Sequence, residues 1–142
     1  AMVDLVVHSE EGPVPVSGIA ARQRISESYL EQLLAKLKKA GLVSSVRGAG
    51  GGYIPDREPK EISVGDVLRA LEGSLDPVDC PGLAEENRCG GADVCVTKYV
   101  WKRINDSINR TVDEIKISDL VKESREVAQT NRTPGSCCEK KE

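Results

Sequence analysis

Apolar residues recur every three or four positions over much of the chain, which is the spacing of amphipathic helices. The clearest case is SESYLEQLLAKLKKAGL, residues 26–42, in which the leucines form one stripe: Leu30, Leu33, Leu34 and Leu37. Either Ser26 or Ser28 can cap the start of this helix, and Gly41 fits its end. The preceding VPVSGIAARQRIS predicts a shorter helix capped by Ser17. Together the two elements predict a helix–turn–helix unit.

A different pattern follows directly after this unit. In LVSSVRGAGGGYIPD, residues 43–46 and 53–54 have strand character, and the glycines between them supply a turn. A short hairpin at this place predicts the wing of a winged helix–turn–helix. The next run, SVGDVLRALEG, predicts another amphipathic helix with Ser63 as its cap, and Pro77 breaks the chain beyond it.

A long helix is predicted by VTKYVWKRINDSINRTVDEI, in which apolar residues again share one face: Val96, Val100, Ile104, Ile108, Val112 and Ile115. Little remains for this helix to pack against within one subunit, so we interpret it as a dimerisation helix. Folding back onto its own domain is the alternative. ISDLVKES then predicts a short closing helix, and the polar NRTPGSCCEKKE predicts a disordered tail.

These elements predict a mainly α fold with a small β-hairpin wing, divided into four parts. Residues 1–74 form a winged helix–turn–helix DNA-binding domain, and residues 75–95 form a cysteine-containing loop. Residues 96–126 form the dimerisation helix and the closing helix, and residues 127–142 form the tail. The opening AMVDLVVHSEEG has the pattern of the middle of a helix, so the first helix is expected to be truncated and to have more chain upstream.

Charge is distributed unevenly along the chain. The net charge of the 142 residues is −3, which alone argues against a nucleic-acid partner. Residues 22–47, however, contain six basic and two acidic side chains, a net charge of +4, so the rest of the chain carries −7. A local basic patch on an acidic body is typical of a phosphate-binding surface. No apolar run is long enough to cross a membrane.

The leucine helix offers polar side chains on the face opposite its stripe: Ser28, Tyr29, Glu31, Gln32, Lys36 and Lys39. Near the helix start, Ser28, Glu31 and Gln32 carry groups that contact base edges in a major groove. The two lysines lie further along, where they suit phosphates. Arg47, just before the glycine turn, suits insertion into an adjacent minor groove. For any one of these residues the alternative is an ordinary solvated face.

The run SYLEQLLAKLKKAGLVSSVRGAGGGY, followed by SVGDVLRALEG and a loop with three cysteines, resembles the bacterial family of winged-helix regulators that includes IscR, NsrR and CymR. The resemblance covers nearly the whole chain up to its tail. It implies a cytoplasmic homodimer that binds double-stranded DNA at an operator of inverted half-sites, with repression as the expected role. By position, Ser28, Glu31 and Arg47 match the base-contacting and minor-groove residues of the IscR branch.

Three of the five cysteines lie in CPGLAEENRCGGADVCVTKYVW, namely Cys80, Cys89 and Cys95. The odd total of five cysteines and the lack of a secretory signal disfavour a disulfide framework. Neither the spacing from Cys80 to Cys89 nor that from Cys89 to Cys95 fits structural zinc. Thiolates suit iron–sulfur clusters, zinc or copper(I). In IscR-like and NsrR-like members three cysteines in this place hold an iron–sulfur cluster, so the resemblance implies the same ligands here.

The fourth ligand is where this sequence departs from the IscR branch, because Lys98 stands in the place of a histidine. A protonated lysine is a poor ligand. A two-iron, two-sulfur cluster is the first expectation and a four-iron, four-sulfur cluster is the alternative. Occupancy of the loop is expected to control operator affinity in response to iron–sulfur status, redox state or nitric oxide.

Several alternatives stay open at this point. The cysteines can act as bare redox thiols or hold zinc, and CymR-like members respond to a partner protein. An iron–sulfur electron carrier or scaffold is a further alternative, in which the helix–turn–helix is only architecture. An enzyme is not expected, because no nucleophile–base pair stands out and the chain has one histidine. The pattern assigns no role to Cys137 and Cys138.

Overall fold

A computed structural model describes residues 1–80 and 94–130 of the chain. Over these ranges the elements are α1 (Met2–His8), a 3-10 turn (Ser9–Glu11), α2 (Val16–Gln23), α3 (Glu27–Lys39), β1 (Val43–Val46), β2 (Gly52–Pro55), α4 (Val64–Glu72), α5 (Val96–Glu114) and α6 (Ile117–Thr130). The hairpin is antiparallel. The mainly α fold with a small β wing is therefore confirmed.

The helix–turn–helix consists of α2 and α3. Helix α2 ends where Arg24 adopts a left-handed backbone with φ of 53°, a conformation that residues other than glycine rarely adopt. Ser26 then caps α3, because its Oγ accepts a hydrogen bond from the Tyr29 amide at 3.3 Å. The predicted Ser17 cap of α2 is wrong. Pro15 precedes the first turn with the extended backbone that its ring favours, so Ser17 lies inside the helix.

The core lies between the helix–turn–helix, α1 and α6. Its largest fully buried side chains come from the whole length of the winged domain: Leu5, Ile19, Leu30, Leu34, Val43 and Ile62. From α6, Ile117 and Val121 belong to the same cluster and pack beside α1. The winged domain predicted for residues 1–74 is thus completed by a helix from the far end of the described chain.

The closing helix is longer than its pattern indicated. It continues to Thr130, beyond the predicted boundary at residue 126, and every side chain after Val121 is exposed. Its last turns contain glutamate, alanine and glutamine, which favour helix without needing burial. The disordered tail predicted for residues 127–142 is therefore wrong for its first four residues, and residues 131–142 lie outside the described range.

The wing is held to the body of the domain by a third extended segment. Within the hairpin, Val43 pairs with Pro55 and Val46 with Gly52. Val14 and Tyr53 exchange two backbone hydrogen bonds of 2.9 Å, which fasten the second strand to the segment before α2. Glycine is required at Gly52, since a Cβ atom there would lie 2.3 Å from the Val14 carbonyl oxygen.

Helix α4 begins as predicted, with a capping box. Ser63 Oγ accepts from the Asp66 amide at 3.0 Å, and the Asp66 carboxylate accepts from the Ser63 amide at 2.9 Å. Over residues 1–80 and 94–130 every helix is too short or too polar to cross a membrane.

Helix α5 combines two environments. Its C-terminal part lies against α4, where Ile108 and Val112 are half-buried. Its N-terminal part exposes apolar side chains, among them Val96, Val100 and Ile104. The fold-back alternative thus holds for one half of the helix, and the other half keeps an uncovered apolar face.

Candidate nucleic-acid interface

The seven side chains predicted to contact DNA are all exposed: Ser28, Tyr29, Glu31, Gln32, Lys36, Lys39 and Arg47. Six lie on α3, whose buried side is Leu30, Leu34 and Leu37. At 100° per residue, Ser28, Gln32 and Lys39 lie opposite that buried side. The predicted polar face therefore exists as one continuous surface of α3.

Arg47 lies exposed at the end of the first wing strand. Arg47 follows the last residue of β1, and β1 packs against α3. Gly48 has a φ of 120°, and the Gly51 amide donates to its carbonyl at 2.9 Å. Glycine adopts this backbone without strain, so a narrow turn can follow Arg47 directly.

The lysines of α3 differ in what they contact. Lys36 Nζ donates to the Leu71 carbonyl at 3.0 Å and so ties α3 to the last turn of α4. Lys38 Nζ donates to Ser45 Oγ on the first wing strand. Over the described part of the chain, Lys39 makes no hydrogen bond or ion pair. Lys39 is therefore the α3 lysine whose ammonium remains available to a ligand.

Lys38 is a residue of this surface that the sequence pattern did not single out. It lies seven residues after Glu31, which places the two side chains on the same side of α3. That spacing was a usable signal. Its contact with Ser45 depends on how the wing folds back, and no local pattern contains that information.

Basic charge in this region is partly neutralised from within. Arg22 donates to both carboxylate oxygens of Asp4, with distances of 2.8 to 3.1 Å. Burial alone would raise the pKa of Asp4, but the hydrogen bonds and charge of Arg22 outweigh it, so the pKa lies below its ordinary value. Lys36 and Lys38 donate to neutral oxygens, those of the Leu71 carbonyl and the Ser45 hydroxyl, and so form no ion pair through these contacts. Because Asp4 neutralises Arg22, the net positive charge that residues 22–47 offer to a ligand is smaller than the +4 counted from the sequence.

Two of the three candidate cluster ligands lie in the described ranges. Cys80 and Cys95 are half-buried free thiols within the segment that connects α4 with α5, Cys80 eight residues after α4 and Cys95 directly before α5. Cys95 is the residue that precedes the first turn of α5, and its side chain makes no capping hydrogen bond. Cys89 lies within residues 81–93, outside the described residues. Two reduced, accessible thiols are the donors that a sulfur-ligated group requires, so the described residues fit such a group.

A complete metal site is not assembled by the described residues alone. Over residues 1–80 and 94–130, no three His, Cys, Asp or Glu side chains lie close enough together to hold a metal ion. Lys98, which stands in place of the expected histidine ligand, lies half-buried in the first turn of α5.

Comparison with known proteins agrees with this geometry. A family model named Rrf2, described as an iron-dependent transcriptional regulator, matches residues 1–123. The HTH-type transcriptional regulator IscR of Serratia proteamaculans is 45% identical over 121 residues, which cover 85% of this chain and 72% of that protein. IscR of Xenorhabdus nematophila is 42% identical over 141 residues, which cover 94% of this chain and 84% of that protein.

Solved structures show the same likeness. T. potens IscR has a TM-score of 0.70 at 48% sequence identity, covering 89% of this chain and 81% of that chain. CymR, the global cysteine regulator of B. subtilis, has a TM-score of 0.70 at 38% identity, covering 86% of this chain and 88% of that chain. These relatives are named as regulators and not as enzymes. The chain therefore belongs to the Rrf2 family, and it is a DNA-binding transcriptional regulator of the IscR type.

Proposed function

We propose that this regulator is a homodimeric repressor whose operator binding is controlled by an iron–sulfur cluster, held by Cys80, Cys89 and Cys95. The observation that carries the proposal is the position of the thiols. Cys80 and Cys95 are free and half-buried in the connection between α4 and α5, Cys80 eight residues after α4 and Cys95 directly before α5, and Cys89 lies between them in the chain. A group bound there joins the winged domain to the proposed dimerisation helix.

The chain supplies charge that suits an anionic ligand at Cys95. The first-turn amides of a helix carry partial positive charge and have no partner inside the helix. No acidic side chain lies in the first turn of α5. When bound, an iron–sulfur cluster supplies one-electron redox chemistry and sensitivity to oxidants. A two-iron cluster remains the first expectation and a four-iron cluster the alternative.

The reader of DNA is α3 together with the wing. Ser28, Glu31 and Gln32 occupy the N-terminal half of α3, which in helix–turn–helix proteins contacts base edges in the major groove. Lys36 and Lys39 follow toward the phosphates, with Tyr29 on the flank, and Arg47 reaches the adjacent minor groove. Lys36 Nζ donates to the Leu71 carbonyl of α4, so it would contact a phosphate through another of its three N–H groups.

A second copy of the chain is the proposed cover of the exposed face of α5. Val96, Val100 and Ile104 are 76%, 52% and 38% exposed, and isolated subunits seldom leave such a stripe in water. Pairing two α5 helices buries it. Because a two-fold dimer presents two identical readers, the operator is expected to consist of inverted half-sites.

A second candidate is a regulator that responds through bare thiols or a partner protein. The likeness to CymR, named a cysteine regulator, favours it, and so do the free thiols of Cys80 and Cys95. The family assignment disfavours the remaining alternative, an electron carrier or scaffold.

Loss of any one loop thiol should abolish cluster-dependent control. Wild-type protein reconstituted under anaerobic conditions should show visible absorption with stoichiometric iron and sulfide, and its operator affinity should differ between the loaded and cluster-free forms. Cys80→Ser, Cys89→Ser and Cys95→Ser should each lose the colour and this difference, because three thiolates share one group. Absorption, iron and sulfide analysis and fluorescence anisotropy with operator DNA measure these outcomes.

The matched control is the double variant Cys137→Ser and Cys138→Ser, which removes two thiols outside the loop and should behave as wild type. Equal operator affinity of the loaded and cluster-free proteins would contradict the proposal. Iron-free wild type after reconstitution, with binding that changes on thiol oxidation, would favour the second candidate. Zinc as the sole metal would exclude both.

A further inference from the structure

The C-terminal end of α5 is fastened to the winged domain by its backbone. The Val64 amide donates to the Ile115 carbonyl at 2.9 Å, and the Ile117 amide donates to the Ile62 carbonyl at 2.9 Å. These bonds join the start of α4 to the turn between α5 and α6. They fix the position of one end of α5, but a single point does not fix the direction of a helix.

A second point of attachment is Arg69, on α4. Its Nη1 donates to Asp113 Oδ1 at 2.7 Å, and its Nη2 donates to Asp113 Oδ2 at 2.8 Å and to Asn109 Oδ1 at 3.0 Å. Asn109 is itself oriented by donating to the Asn105 side chain at 2.8 Å. The guanidinium therefore grips two successive turns of α5, which is the geometry that fixes a direction.

The two helices cross closely at this contact. A Cβ atom on Gly65 would lie 2.1 Å from Asp113 Oδ1 and 2.8 Å from Arg69 Nη1. Glycine at this position is what lets the carboxylate and the guanidinium meet over α4. Gly65 thus leaves the space above α4 that the ion pair of Arg69 and Asp113 occupies.

Apolar side chains of α5 pack against α4 only partly, since Ile108 and Val112 are half-buried there. Over the part of the chain that the structure describes, no side chain of α5 is fully buried. The contact with α4 also contains a polar ladder of Asn105, Asn109 and Asp113 facing Arg69. A polar contact of this kind has a preferred geometry, and without it the helix has no deep side chain to hold its angle.

We propose that Arg69 is a positioning residue that sets the angle of α5 on α4, and thereby the separation of the two α3 helices in the dimer. The inference rests on the proposed homodimer. The 19 residues of α5 extend for about 28 Å, so a tilt of about 10° moves the far end by about 5 Å. That displacement exceeds the rise of one base pair, about 3.4 Å along a strand.

The DNA test uses a duplex that the wild-type protein itself enriches from a random pool, and measures affinity by fluorescence anisotropy. Three probes are compared: the enriched duplex, the same duplex with one base pair inserted between its half-sites, and a single half-site. Arg69→Met should weaken binding to the enriched duplex about fivefold or more and flatten the discrimination between the two spacings. Its affinity for the single half-site should stay within about twofold of wild type.

Two further variants make the test specific. Arg69→Asp combined with Asp113→Arg restores an ion pair and should recover spacing discrimination. Arg125→Met removes a comparable exposed arginine–carboxylate pair, with Glu10, and should keep it. Unchanged discrimination in Arg69→Met overturns the inference. An equal loss on the half-site overturns it as well, since a merely structural role predicts that result.

A measurement without DNA separates the inference from the proposed function. Dyes are attached through unnatural amino acids at the exposed positions Ala21 and Thr97, and labelled protein is diluted into unlabelled subunits. Energy transfer should report a distance shifted or broadened by about 5 Å in Arg69→Met, with recovery in the charge-exchanged variant. An identical distribution overturns the inference. Wild-type protein that enriches no duplex contradicts the proposed function alone, and this measurement then decides the inference.

Discussion

Arg22 donates three hydrogen bonds to Asp4, 18 residues earlier in the chain, and so joins α2 to α1. The Asp4 side chain is only 9% exposed, and the arginine holds the pKa of that carboxyl below its ordinary value against the effect of burial. A lowered pKa in the folded state means that the ion pair stabilises the fold above the ordinary carboxyl pKa. The stabilisation is lost as the pH falls through the folded-state value.

Replacement of the Asp4 carboxylate should therefore have a pH-dependent effect. Asp4→Asn should lower the free energy of unfolding at pH 7 by about 1 kcal/mol, because Arg22 loses a charged acceptor. The difference from wild type should shrink toward pH 3, below the ordinary carboxyl pKa, because the unfolded chain there binds a proton that the folded carboxyl binds less readily. Urea unfolding followed by circular dichroism at both pH values measures this. Glu58→Gln, which removes an exposed pair with Lys60, is the control, and an undiminished difference at pH 3 would exclude the ionic cause.

Single residues also mark where prediction from the sequence failed. The cap at Ser63 and the start of α3 were predicted, because their signals span only three or four residues. The contact of Lys38 with Ser45 and that of Lys36 with Leu71 were not, since each joins two elements whose mutual position depends on the whole fold. Ser17 was assigned wrongly because a serine near a helix start outweighed the proline before it.

At the scale of elements, the surface of α3 divides into side chains that bind the rest of the domain and side chains that face outward. The polar face and the stripe of leucines were predictable, because helical periodicity alone separates them. The division among the lysines was not, since it depends on the neighbouring α4 and β1. Whether the outward side chains contact DNA at their proposed positions remains a prediction.

Lys39 is expected to neutralise one DNA phosphate and so to release one counterion when the operator binds. Lys39→Ala should weaken binding at low salt and reduce the slope of log affinity against log salt concentration by about 0.9, the value for one phosphate contact on duplex DNA. Anisotropy titrations over a range of salt concentrations measure the slope. Lys122→Ala removes an exposed lysine of α6 and should leave the slope unchanged. A slope unaltered by Lys39→Ala would show that this ammonium meets no phosphate.

At the scale of the whole molecule, α5 is the element that prediction described least completely. Its periodicity indicated both a dimerisation helix and a helix folded on its own domain, because one apolar stripe fits either partner. The structure shows that the half near α4 is partly covered while Val100 remains 52% exposed. Periodicity shows which face of a helix is apolar, but it does not identify the surface that packs against that face.

A charge on the exposed part of α5 should dissociate the proposed dimer. Val100→Asp should sediment as a monomer and lose operator affinity by at least about tenfold, because an unpaired carboxylate in an apolar interface is costly. Its helix content should stay that of wild type. Val127→Asp changes a valine of similar exposure, 58%, on α6 and should remain dimeric. Dimeric Val100→Asp at micromolar concentration would place the subunit contact elsewhere.

The return of α6 onto α1 has a consequence for how such chains can diversify. Ile117 and Val121 complete the core begun by Leu5, so the winged domain is discontinuous in sequence and everything from Gly73 to Glu114 is inserted between its two halves. A domain of this kind can exchange the inserted segment only as an internal cassette with both joints preserved. Truncation after α4 would remove Ile117 and Val121 and uncover the hydrophobic interior, so the winged domain cannot be shortened to its N-terminal part without loss of stability.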